Sequence, residues 1–346
     1  MNGLSEKELL DYIAKYITVL KTNFTSKNKK KLTYNDIFDI MKDLYALFNE
    51  YYHLNPMKCS VISIKEYIPL IDVLIKLDNN NQHYATYSVH IKNAYRMAAR
   101  TSLEHYMVYR EWEERQEDKF FAPRYEVIRG YIYYLEQVVK NPEFRLLIFN
   151  AMSGFGKTYP EKISEAWAFG YDPTGTVLSL CSNEDVVKGG SRTVIDEIKS
   201  EWFGEVFEDM AYHEDDRNFF LKETEGKCKL VASYYAKTVQ SNVIGVRASQ
   251  RIHIDDLYAD YKEAMNQSLN EYYLNKFNTV WKKRFVQNKI PKVVVTGTLW
   301  ASGDFINLLI EQTQKTVKLH PHPKFKYTYV NDDETVVIIQ LPALDY

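Results

Sequence analysis

Arg145-Leu-Leu-Ile-Phe-Asn-Ala-Met-Ser-Gly-Phe-Gly-Lys-Thr158 decides how the rest of the chain is read. Leu146 to Phe149 is a short apolar run, as expected of a buried strand. Ala151 follows the strand, and after four intervening residues come Gly156-Lys157-Thr158. This is the spacing of a phosphate-binding P-loop, with Ala in place of the first Gly. Residues Ala151, Met152, Ser153, Gly154, Phe155, Gly156, Lys157 and Thr158 then form the nucleotide cradle. Gly154 and Gly156 let the backbone turn its N–H groups toward phosphate oxygens. Lys157 reaches the β- and γ-phosphates, and the Thr158 hydroxyl binds Mg²⁺. A helix starting near Thr158 aims its positive end at the same anion. Pro160 suits its first turn, where a missing N–H costs nothing. The spacing therefore predicts ATP and Mg²⁺ as ligands.

The composition of the 346 residues is that of a globular protein, with 45% hydrophobic and 26% charged residues. The net charge of -2 excludes a globally basic surface, so any nucleic-acid contact must come from a local patch or a partner. Of the 28 Tyr, 16 lie in the first 140 residues, and most are expected in packing. Cys59, Cys181 and Cys228 have neither metal spacing nor an even count, which suggests buried thiols in a reducing compartment. The N-terminus lacks a signal-peptide pattern, and no apolar run reaches the roughly 20 residues of a membrane span.

Residues 1–120 read as an all-helical region. Leu9, Leu10, Ile13, Ile17 and Leu20 recur at helical spacing. The basic stretch 25–31 reads as a solvated loop. Thr33 or Asn35 caps a second helix. Ile62 to Leu77 reads as a third, with Pro69 at a kink or boundary, and 79–82 as a loop. Val89 to about Gln116 reads as one long helix whose Arg110–Arg115 end is a solvated face of i, i+4 ion pairs. Phe120–Arg124 marks a boundary that opens the second domain, 121–346; a helix follows over Tyr125 to Lys140, and from Arg145 onward the grammar changes. Apolar, β-branched runs at 177–181, 230–234, 251–254, 293–295 and 336–341 alternate with amphipathic segments. Such alternation predicts an α/β domain with a mostly parallel sheet flanked by helices.

Hydrolysis needs one carboxylate for the metal and another to orient the attacking water. Arg251-Ile-His-Ile-Asp-Asp256 offers both, with Asp255 assigned to the metal and Asp256 to the water. His253 reads as a packed strand residue. The run from Lys292 ends in Thr296, Gly297 and Thr298, hydroxyls placed to sense a γ-phosphate.

Four stretches in this order resemble the ATPase domain of the large terminase subunit of tailed bacteriophages. They are the loop at 150–158, the segment from Leu178 through Ser191-Arg192, the Gly245-Val-Arg-Ala and Arg251–Asp256 pair, and Thr296-Gly-Thr-Leu-Trp300 with Asp304. The resemblance covers about 124–342. It implies an ASCE-type P-loop NTPase, a motor that pumps double-stranded DNA into a procapsid. Its partners would be the portal protein and the small terminase subunit. It would assemble as a homo-oligomeric ring, stay monomeric in isolation, and work in the cytoplasm of the infected bacterial host. Carried over by position, Asp255 is the Walker B acid, Asp256 the catalytic carboxylate and Thr298 part of the coupling motif. Arg192 and Arg247 are the candidates for an arginine finger. Three departures stand out. Met152-Ser153 replace the family's early basic residue, and Asp256 stands where Glu is frequent. No C-terminal nuclease is expected in this chain. Two other readings remain open: another DNA-dependent P-loop motor, such as a helicase, and a non-enzymatic helical adaptor with a degenerate loop.

Overall fold

A computed structural model describes residues 4–25, 32–77, 84–208, 210–214, 219–222 and 234–342. The basic stretch 26–31, the loop 79–82, the strand start 230–233 and Cys228 lie outside the described residues. The chain divides into two compact units, 1–123 and 124–346, where the sequence reading placed the division at 120/121.

The first unit carries helices α1 (Glu6–Thr25), α2 (Tyr34–Leu54), α3 (Pro56–Ile62), α4 (Ile68–Leu77), α5 (Tyr84–Ala99) and α6 (Leu103–Arg110). The cap of α2 is Thr33: its hydroxyl accepts from Asp36 N–H, and the Asp36 carboxylate accepts from Thr33 N–H. Leu9, Ile13, Ile17 and Leu20 of α1 meet Met41, Leu44 and Phe48 of α2 in one core. Tyr51, Tyr52, Tyr67 and Tyr106 are fully buried, so these tyrosines do serve in packing.

Ile62 to Leu77 is helical, and the interruption expected near Pro69 is a π-turn, Ser63–Tyr67, between α3 and α4. One expectation here is corrected. The long helix from Val89 breaks at 100–102. There the Ser60 hydroxyl lies 2.7 Å from that of Thr101 and bonds the Ala98 carbonyl, while Ser102 caps α6. Beyond Arg110 the chain turns. Arg110 and Glu114 do pair at 3.1 Å. Glu111, however, points inward, is only 2% exposed, and accepts the N–H groups of Phe120 and Phe121.

The second unit holds α7 (Phe121–Lys140), β1 (Leu146–Asn150), α8 (Thr158–Tyr171), β2 (Val177–Cys181), α9 (Glu184–Lys199), α10 (Glu201–Val206), β3 (Ala211–Glu214), β4 (Phe219–Lys222), β5 (Tyr234–Thr238), β6 (Arg251–Asp255), α11 (Tyr261–Ala264), α12 (Gln267–Lys276), β7 (Val293–Gly297), α13 (Phe305–Gln314), β8 (His320–Pro321), β9 (Thr328–Val330) and β10 (Val336–Gln340). The main sheet runs β5-β2-β6-β7-β1-β10-β9-β8, and β3 and β4 form a separate hairpin. The strands from β5 to β10 pair in parallel, and β9 and β8 add antiparallel. This is an α/β fold with a mostly parallel mixed sheet and flanking helices.

Alternation along the strands assigns the two faces. Ile148, Ile252, Ile254, Val293 and Val295 pack into a core with Phe277, Trp281, Phe305 and Leu309 on one face. On the other face Tyr131 of α7 stacks on Phe149 at 3.7 Å, and α8 reaches Ser179, Arg251 and His253 through its polar side chains. Among the described residues no helix is long and apolar enough to cross a membrane.

Candidate functional site

β1 and β6 are separated in the sheet by β7 alone, and all three run the same way. Their carboxyl ends therefore share one edge. This topology gathers residues that lie far apart in sequence.

The loop leaves β1 at Ala151 and enters α8 at Thr158. Gly154 and Gly156 have φ of 80° and 86°. Side chains other than Gly are strained there, so the turn depends on both positions. Met152, Ser153 and Gly154 are exposed, while Ala151 and Phe155 are buried, the latter beside Phe149. Buried Asn150 ties the edge together, because its Oδ1 accepts Leu299 N–H at 3.1 Å and Ala151 N–H donates to the Gly297 carbonyl.

Lys157 Nζ donates to Thr298 Oγ1 at 2.9 Å and to the Met152 carbonyl at 3.3 Å. The Thr158 hydroxyl donates to Asp255 Oδ2 at 3.4 Å. Asp255 Oδ1 faces the other way and accepts from Thr296 Oγ1 at 3.2 Å. Asp256 has a left-handed φ of 39°, held by its N–H bond to the Thr296 carbonyl. Burial raises its carboxyl pKa, and the charge of Lys157 works against that rise. Lys157, Thr158, Asp255, Asp256 and Thr298 are thus brought together.

The two arginines are not. Arg247 lies before β6, at the amino edge of the sheet. Its backbone carbonyl meets Thr176 at the start of β2, and its guanidinium donates to the Lys283 carbonyl at 2.8 Å. It therefore sits a strand length away from this chain's own loop. Arg192 is exposed in the middle of α9.

Behind Asp255 lies a group of residues that reading single positions missed. Arg251, His253 and Asp255 alternate along β6, share one face, and are each 1% exposed. Glu161, Lys162 and Glu165 of α8 press onto that face, and none exceeds 1% exposure. His253 Nδ1 lies 2.7 Å from Glu165 Oε1, and its Nε2 lies 2.9 Å from Glu161 Oε2. Lys162 Nζ reaches Glu165 and Ser179, and Tyr131 donates to Glu161. His253, expected as simple packing, is the centre of an ionic network. The signal was present as polar residues at every second position of a buried strand, facing Glu161-Lys162 and Glu165 on the next helix.

Burial raises the Asp255 carboxyl pKa to about 7, with Glu161 adding to it. Burial alone would lower His253, but Glu161 and Glu165 hold it at about 9. Burial would raise Glu165, but Lys162 and His253 bring it to about 2. The signs give a pH dependence. The contribution of Glu165 is present above its ordinary 4.5 and is lost as pH falls through about 2. That of His253 is present below its ordinary 6.5 and is lost as pH rises through about 9. Ionising Asp255 in the folded chain is opposed, so its effect also lowers stability as pH rises toward about 7. Chelator-treated, nucleotide-free protein should therefore lose stability between pH 6 and 9. The His253 contribution is on the order of 3 kcal/mol, which corresponds to roughly 5–10 °C in Tm. Thermal melts across this range should fall for the wild type and flatten for His253→Gln. A flat wild-type curve would contradict the assignment.

No family model matches the sequence, and no curated protein matches it.

Proposed function

We propose that the chain is an ATP-hydrolysing P-loop motor of the ASCE type, the packaging ATPase of a viral terminase acting on double-stranded DNA. One observation carries the reading. Lys157 meets Thr298 and Thr158 meets Asp255 at one sheet edge, where β7 lies between the loop strand and the acidic strand. A strand in that position puts hydroxyls between the phosphate loop and the carboxylates.

The loop glycines open backbone N–H groups to an anion, and the first turn of α8 adds its positive end. Lys157 neutralises transferred phosphate charge and exchanges Thr298 for a phosphate oxygen. Thr158 and Asp255 are hard oxygen donors of the kind Mg²⁺ prefers and would hold it. Bound there, Mg²⁺ supplies charge neutralisation to the phosphates. Asp256, next to Lys157, orients the attacking water and accepts its proton. Its raised pKa strengthens it as a base. Beside β10 a cavity of about 590 Å³ is lined by Arg129, Phe325, Tyr327 and Pro342. Pro342 follows Leu341, whose N–H bonds the Asn150 carbonyl. The cavity thus lies toward the sheet edge where β1 ends and has the size of a small-molecule site, which suits the base of a nucleotide.

For DNA, the overall charge requires a local basic patch. Exposed Arg247 with Lys282, Lys283 and Arg284 supplies one at the amino edge. Phosphate release from ATP, with and without duplex DNA, tests the reading. Turnover should be slow alone and rise at least several-fold with duplex DNA. Unwinding of a duplex would favour a helicase instead. Lack of hydrolysis under every condition, portal and small subunit included, would favour an adaptor.

A further inference from the structure

We infer that Glu161, His253 and Asp255 form a second, buried divalent-cation site beneath the phosphate loop, distinct from the Mg²⁺ position that would accompany a nucleotide. Their donor atoms lie within 4.8 Å of one another, and all three side chains are 1% exposed. Ligands across a cation of the zinc or manganese kind stand about 4 Å apart. The triangle therefore closes with movement of less than about an ångström.

Three further observations point to a ligand rather than to ordinary packing. The first is a carboxylate oxygen with no formed hydrogen bond, facing the imidazole only as an ion pair. Tyr131 donates to Glu161 Oε1, but the buried Oε2 accepts no hydrogen bond. It lies 2.9 Å from His253 Nε2 but outside hydrogen-bonding geometry. The second is the orientation of the imidazole. Its Nδ1 is engaged by the Glu165 carboxylate at 2.7 Å, which turns Nε2 toward Glu161 and Asp255. A carboxylate behind a histidine is the usual support of a metal-ligating ring. The third is that Asp255 has two separate faces. Oδ2 meets Thr158 of the phosphate loop. Oδ1 meets Thr296, whose hydroxyl is also 3.1 Å from His253 Nε2. One carboxylate thus serves the loop on one side and the buried triangle on the other.

Glu161, Glu165 and Asp255 face Lys162, Arg251 and His253, and a divalent cation would take the place of the imidazole proton. One imidazole nitrogen with carboxylate oxygens suits Mn²⁺, Fe²⁺, Co²⁺ or Zn²⁺ better than Ca²⁺ or Mg²⁺. Such an ion would clamp α8 to β6 and fix the Asp255 carboxylate from behind. This inference does not depend on the ATPase reading.

The test is a Co²⁺ titration of the full chain, stripped of metal and free of nucleotide, followed by visible absorption and calorimetry. Binding near one equivalent is expected. Glu161→Gln and His253→Gln, shown to be folded by circular dichroism, should each bind at least tenfold more weakly. Thr158→Val removes a loop hydroxyl on the other side of Asp255 and should bind as the wild type does. No binding by the folded wild type would overturn the proposal, since a proton on His253 would then fill the place. Binding unchanged by both substitutions would overturn it too. So would binding lost in Thr158→Val, which would put the ion at the phosphate loop.

Discussion

Replacing Lys157 by Ala is expected to lower ATP turnover by about 10²–10³-fold, the effect of removing one preorganised group that stabilises charge in a transition state. The loss should appear in binding as well as in chemistry. The Lys157 side chain is only 5% exposed and already spans from the loop to Thr298. It is therefore positioned before any phosphate arrives. Truncation leaves the glycine turn intact, because Gly154 and Gly156 rather than Lys157 carry the left-handed backbone. Fold and thermal stability should change little. Steady-state kinetics and melting curves on the same preparation check both halves of the prediction. Turnover within threefold of wild type would remove the lysine from the mechanism.

The second large effect is expected at Asp256. Asp256→Asn should lower turnover by about 10²–10⁴-fold, as for loss of a general base, while nucleotide binding stays close to wild type. Asn tolerates the left-handed backbone found here as readily as Asp. The substitution therefore removes charge and basicity without disturbing the chain. The side chain is one methylene shorter than Glu, and the left-handed turn at this residue is what aims it at the loop. Single-turnover hydrolysis compared with equilibrium binding separates the two effects. Full turnover in Asp256→Asn would move the base elsewhere.

Much of the second unit was legible in the sequence because its strands are buried on both faces. Such strands read as near-continuous apolar runs, and Leu146–Asn150, Val293–Gly297 and Val336–Gln340 follow that rule. The short strands His320–Pro321 and Thr328–Val330 were not foreseen. Two or three residues are too few to show a period, and they are strands only through pairing, β9 with β10 and β8 with β9. The break between α5 and α6 was hidden for a different reason. Apolar residues continue through it, and hydroxyl bonds from Ser60 set its place across 41 residues of chain.

The site divides in the same way. The glycine turn at 151–158 is local in sequence, so spacing together with the flanking strand and helix signals located it between β1 and α8. The meetings of Lys157 with Thr298 and of Thr158 with Asp255 span 141 and 97 residues and depend on strand order. The network behind them was visible only as a face. Arg251, His253 and Asp255 share a face with Glu161 and Glu165 because a strand repeats every two residues and a helix about every four. Read singly, His253 looked like packing. The arginines show the opposite case, since spacing put Arg247 near the acidic strand and topology put it at that strand's far end.

Calorimetric titration of Mg-ATP into the wild type and Lys157→Ala asks whether residues 151–158 hold a nucleotide. Saturable binding near one equivalent is expected of the wild type, and binding at least tenfold weaker of the variant. Absence of binding by both, or equal binding by both, would contradict a phosphate site at 151–158.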